Sequence, residues 1–85
     1  MALRRPRVVI IDDDARVAST LGDFVRAMLS QCSVETASNG EAGLAAVRRE
    51  RPDLVLLDLR MPGIDGVEVV KRIHDIDREA MRQHC

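Results

Sequence analysis

The chain has 85 residues, 46% of them hydrophobic and 32% charged, with Phe24 as its single aromatic. A chain of this length folds as one small domain, and its core must be aliphatic. The 13 basic and 14 acidic residues leave a net charge of -1, so the electrostatic footprint of a nucleic-acid binder is absent.

The basic opening LRRPR, Leu3 to Arg7, reads as a solvated lead-in to a first strand. Val8 to Ile11 (VVII) is a short apolar run rich in β-branched residues, the pattern of a strand covered on both faces. It stops at three consecutive acids, Asp12, Asp13 and Asp14. A helical period follows: Val17, Leu21, Val25 and Met28 mark the buried stripe, with Phe24 and Leu29 beside it. Asp14 reads as the cap of this helix or as a solvent-facing acid.

Ser33 to Ala37 (SVETA) predicts a second, more polar strand at a sheet edge. Asn39-Gly40 marks a turn, and the Ala-rich segment Glu41 to Glu50 favours helix. Arg51-Pro52 ends that helix, because proline disfavours helical geometry in the residue before it.

Leu54 to Leu57 (LVLL) is a third strand, apolar on both faces, with Asp53 leading into it. Met61-Pro62-Gly63 forces a loop, and Asp65 suits the N-cap of a helix that opens at Gly66 or Val67. On that helix Val67, Val70 and Ile73 share one face, and Val69, Ile73, Ile76 and Ala80 drift round it. The last residues, DIDREAMRQHC, are helix formers, so the third helix is expected to continue to about Arg82.

Strands alternating with helices over short connections predict a parallel sheet with helices on both faces, hence three layers. The first and third strands are the most apolar and should be neighbours, which gives strand order 2-1-3 and right-handed crossovers. Ligands of open parallel sheets sit beyond the carboxyl ends of the strands, where the strand order switches. In this chain that point carries Asp12, Asp13 and Asp58. Three carboxylates so close together repel unless a hard divalent cation such as Mg2+ joins them. Such a cation also turns an acidic hollow into a receptor for phosphoryl oxygens, and a carboxylate in it can act as a nucleophile. His74 and His84 read as surface residues.

VVIIDDDARV, SNGEAGL and PDLVLLDLRMPGIDGVEVVKRI resemble the receiver domain of two-component response regulators, over about residues 7–73, with 74–85 as a helical extension. The resemblance implies a partial flavodoxin-like fold, cut short after its third strand-helix unit and lacking the Ser/Thr and Lys that complete a receiver site. It implies that Asp58 is the phosphoacceptor and that Mg2+ is held by Asp12, Asp13, Asp58 and the backbone carbonyl of Arg60. Met61-Pro62-Gly63 and Gly66 match the loop that shapes the site. The implied phosphoryl donor is a histidine kinase.

A sheet that ends at the third strand exposes an apolar edge. A homodimer or higher oligomer is therefore expected, through the third helix (Val69, Ile73, Ile76, Ala80) or through the edge at Leu54 to Leu57. Two other readings stand beside the phosphoacceptor: an oligomerisation module without phosphorylation, and a Mg2+-dependent phosphohydrolase. The phosphohydrolase pattern is D-x-D after the first strand, whereas the acids here are contiguous.

No membrane span and no secretory leader are expected, since no apolar run is long enough and the N-terminus lacks an apolar core. Cys32 and Cys85 have neither a C-x-x-C nor a zinc spacing and read as free thiols of a reducing cytoplasm.

Overall fold

The computed structural model describes residues 5–60 and 66–83, with side chains up to Glu79. Six elements follow in chain order: β1 (Arg7–Ile11), α1 (Ala15–Met28), β2 (Ser33–Ala37), α2 (Gly40–Arg49), β3 (Leu54–Leu57) and α3 (Gly66–Gln83). The strands form one parallel sheet in the order β2-β1-β3. Val8 lies opposite Val34 and Leu54, and Ile11 opposite Ala37 and Leu57, so all three strands finish at one rim.

Every residue of β1 is buried, as its unbroken apolar run requires. Alternation along the strand sends its side chains to two clusters. Val9 and Ile11 meet Ala37, Leu44, Ala46 and Val69, with Ile73 and Ile76 packed alongside. Val8 and Ile10 meet Ala18, Val25 and Cys32 on the opposite face. The result is three layers, with α1 on one face of the sheet and α2 and α3 on the other.

Caps fix where the helices begin. Asp14 Oδ1 accepts the amides of Arg16 (2.9 Å) and Val17 (3.3 Å), which makes Asp14 the N-cap of α1. Asn39, expected in a turn, is the N-cap of α2: its Oδ1 accepts the Ala42 amide at 2.7 Å. The helix α3 runs to Gln83, as its composition suggests. The expected loop at Met61-Pro62-Gly63, the Asp65 cap, His84 and Cys85 lie outside the described residues.

Four expectations change. The buried face of α1 keeps Val25 of the expected stripe, with Leu21 packed alongside, but is completed by Ala18 and Gly22, while Val17 and Met28 are exposed. Small residues let the helix approach the sheet closely, and Phe24 (62% exposed) and Met28 (67%) point outward. The strand β3 is the expected edge strand, but its apolar run is only partly covered, so of the two apolar strands β1 alone is the buried centre.

On α3, Val69 is 0% exposed, and Ile73 and Ile76 pack against the core, while Val67 is 55% exposed. The face proposed for oligomer contact is therefore occupied by the protein's own sheet and α2, and the Ala80 side chain lies outside the described ones. Finally, the basic lead-in is not simply solvated. Arg5 donates to the Gln31 and Cys32 carbonyls at 3.0 and 3.2 Å.

Arg7 begins β1 with only 5% exposure. Its guanidinium donates to Glu50 O and Ala46 O, both at 2.9 Å, and pairs with Glu35 at 3.0 Å. Arg7 thereby satisfies carbonyls at the C-terminal end of α2, where a cation is favoured. Arg49 also binds Glu35. The Arg49 hydrogen bond, with a smaller contribution from Arg7, holds the Glu35 carboxyl below its usual value of 4.5 against the opposing effect of partial burial.

Candidate functional site

The strand ends position the acids through backbone bonds that extend the sheet by one residue. The Asp12 amide donates to Ala37 O at 3.0 Å, so the chain leaving β1 is still tied to β2. The Asp58 amide donates to Ile11 O at 2.9 Å, so the chain leaving β3 is still tied to β1. Both acids thus emerge from fixed backbone at the shared rim.

Side-chain bonds then restrict their rotation. Asp12 is buried, and its Oδ1 accepts the Asp14 amide at 2.9 Å. Asp58 is half-buried, and its Oδ1 accepts the Arg60 amide at 2.9 Å. Asp13 is exposed. One carboxylate oxygen from each of Asp12, Asp13 and Asp58 lies within 4.8 Å of the others. The sequence expectation that residues 12, 13 and 58 meet is therefore met in space. Asp14, the next acid, is spent on the α1 cap.

These acids border a cleft of about 680 Å³, also lined by Ile10, Val17, Leu21 and Leu56. The sequence reading did not place this apolar wall at the site. Its signals were the two-residue spacing of Leu56 from Asp58 and the position of Val17 in the first turn of α1. Arg60 lines the same cleft; the sequence reading considered only its carbonyl.

Gly66, the first residue of α3, packs against Leu59, the residue after Asp58. A Cβ there would fall 2.9 Å from the Leu59 Cα, so only glycine lets the helix start against the segment that follows Asp58.

The donor set is all oxygen, compact and acidic, which fits a hard divalent ion and not a soft one. Among the described residues, Asp53 and His74 stay apart from it. Asp53 accepts the Arg7 amide at 2.7 Å at the opposite end of the sheet, and His74 is exposed on α3.

The model of the response regulator receiver domain matches residues 8–82. The chain belongs to the response regulator receiver family. Over 73 residues it is 37% identical to the probable C4-dicarboxylate response regulator DctR of Bacillus subtilis, covering 86% of this chain and 32% of that protein. A protein-glutamate methylesterase/protein-glutamine glutaminase of Natronomonas pharaonis is 44% identical over 70 residues, 79% of this chain and 19% of that one. The chain spans well under two thirds of either relative.

Among solved structures, the receiver domain of a putative Luxo repressor protein from Vibrio parahaemolyticus superposes with a TM-score of 0.77 at 26% identity, covering 87% of this chain and 55% of that one. The receiver domain of Saccharomyces cerevisiae Ssk1, solved with the histidine phosphotransfer protein Ypd1, gives 0.76 at 25% identity, over 94% and 54%. These neighbours place the three-stranded sheet within the receiver fold, and the family places the chain in two-component signalling.

Proposed function

We propose that this receiver chain accepts a phosphoryl group on Asp58. The observation that carries the reading is the meeting of Asp12, Asp13 and Asp58 within 4.8 Å at the joint rim of β1 and β3. A carboxylate oxygen of Asp58 attacks the phosphorus of a phosphohistidine. The P–O bond forms as the P–N bond breaks, and the imidazole nitrogen leaves with the electron pair and takes a proton from water.

Asp12, Asp13, Asp58 and the carbonyl of Arg60 are the groups we assign to Mg2+, which when bound neutralises charge on the phosphoryl oxygens. The Arg60 amide on Asp58 Oδ1 holds the acceptor carboxylate in a fixed rotation before the donor arrives. Asp12, held by the Asp14 amide, keeps its orientation in the same way.

A histidine kinase, directly or through a phosphotransfer protein, is the donor this reading requires; the phosphotransfer complex of one structural neighbour supports it. The chemistry is confined to the chain's own Asp58, so we read a signalling domain and not a turnover enzyme. A free, buried Cys32 fits a cytoplasmic setting. Among the described residues no helix is long and apolar enough to cross a membrane.

The test is incubation with Mg2+ and acetyl phosphate, read by intact mass. Wild type should gain one phosphoryl group and Asp58→Ala none; equal modification of both proteins refutes the assignment.

Self-association is a second reading, and the partly covered edge strand β3 favours it, with Leu54 exposed and Val55 to Leu57 half-covered. Light scattering at micromolar concentration tests it, and Leu54→Lys should shift an oligomer toward monomer. A monomer at all concentrations removes this reading and leaves the phosphoacceptor one intact.

A further inference from the structure

The described lining of the cleft is strongly acidic. Among the described residues it includes Asp12, Asp13, Asp14 and Asp58 and one basic residue, Arg60. A divalent ion among Asp12, Asp13 and Asp58 leaves one negative charge uncompensated, and an arriving phosphoryl group adds more. A positive charge beside Asp58 favours transfer into such a site.

Arg60 is placed to supply it. Its backbone is anchored to the acceptor itself, since the Arg60 amide bonds Asp58 Oδ1 at 2.9 Å. The residue is exposed, and among the described residues its side chain has no ion pair or hydrogen bond. Arg5, Arg7, Arg26, Arg49, Arg51 and Arg72 are each engaged by a carbonyl or carboxylate, and Arg16, Arg48 and Arg78 do not line the cleft. A long side chain on a fixed backbone beside Asp58, with an uncommitted planar fork, matches the geometry of phosphoryl oxygens.

We propose that the guanidinium of Arg60 binds the phosphoryl group carried by Asp58 and so balances its charge. The proposal rests on Asp58 as the phosphoacceptor. It gives Arg60 two separate roles, since the carbonyl assigned to Mg2+ survives every side-chain substitution.

Beryllofluoride, an anionic phosphoryl mimic, is the probe. Its affinity for the full chain at fixed Mg2+ is measured by fluorine NMR for wild type, Arg60→Ala, Arg60→Lys and Arg60→Glu. Loss of one charge-assisted hydrogen-bond donor should weaken binding about tenfold in Arg60→Ala. Arg60→Glu should weaken it further, and Arg60→Lys should recover part of the loss.

Mg2+ affinity without beryllofluoride, measured by calorimetry, should move the opposite way and strengthen in Arg60→Ala and Arg60→Glu, because a like charge has been removed. A purely structural role for Arg60 would weaken both. Equal beryllofluoride affinity across the four proteins overturns the proposal while leaving Asp58 in place. No binding by wild type, with no acetyl phosphate labelling of Asp58, sinks both readings together.

Discussion

The Nη2 of Arg7 donates to the Ala46 carbonyl at 2.9 Å, so a cation at the start of β1 holds the last turn of α2. The same guanidinium serves Glu50 O and Glu35, and all three acceptors sit around a side chain that is nearly closed to solvent. Its fork meets three acceptors in different directions, which a lysine ammonium on a flexible stem cannot reproduce. Arg7→Ala is expected to lower stability by about 2–4 kcal/mol, since it leaves buried polar groups without their charged partner. Arg7→Lys should recover less than half of that. Urea unfolding followed by circular dichroism measures both, and an Arg7→Ala protein as stable as wild type would show that the network contributes nothing net.

Glu35 makes this network sensitive to acid. Hydrogen bonding from Arg49, then from Arg7, lowers its folded pKa below 4.5, so its stabilising contribution is fully present above pH 4.5. The contribution falls away as the pH drops through the lowered folded value. Glu35→Gln should therefore be less stable than wild type at neutral pH. Its stability should also fall less steeply below pH 4.5. Parallel acid limbs for the two proteins, in denaturation series from pH 7 to pH 2, would rule Glu35 out as a source of acid sensitivity.

The sheet order and the acid cluster were legible because each rests on a local pattern. VVII and LVLL are apolar runs that end in acids, and parallel strands that share a rim bring those acids together. Arg7 was not legible, since arginine is rarely buried and its acceptors, Ala46, Glu50 and Glu35, are far from it in sequence.

The inner face of α1 was only partly legible, for a related reason. Val25 and Leu21 of the expected stripe do face the core. Side-chain size favoured Val17, Phe24 and Met28, whereas the approach distance to the sheet selects Ala18 and Gly22. On α3 two valine stripes have helical spacing, and only contact with the sheet and α2 distinguishes buried Val69 from exposed Val67.

Gly43 tests how tightly α2 is seated. A Cβ at this position would lie 2.6 Å from Ile11 Cγ1, inside a fully buried side chain of β1. The helix-propensity gain of alanine, near 1 kcal/mol, opposes this clash. Overpacking a closed core costs about 1–3 kcal/mol, so Gly43→Ala should be neutral to destabilising by up to about 2 kcal/mol. Ile11 is the last residue of β1 and its carbonyl holds the Asp58 amide, so its displacement should also weaken Mg2+ binding. Gly43→Ala with raised stability and unchanged Mg2+ affinity would show that the core yields at no cost to the site.

Three carboxylates within 4.8 Å repel one another, and that repulsion opposes folding when no cation is bound. Asp13 is the exposed member, and replacing it disturbs no packing. Asp13→Asn should therefore unfold at an equal or higher temperature than wild type in EDTA. Mg2+ should raise the midpoint of wild type, by about 2.7 kcal/mol of stabilisation at a hundredfold excess over Kd. For a domain of this size each kcal/mol corresponds to roughly 4–8 °C. Asp13→Asn should lose most of that shift, and Asp58→Asn should lose much of it as well. Calorimetric melting with Mg2+ and with Ca2+ or EDTA separates specific binding from a general ionic effect. A wild-type midpoint that ignores Mg2+, or an Asp13→Asn midpoint that rises with Mg2+ as much as wild type, would mean that these acids share a rim without sharing an ion.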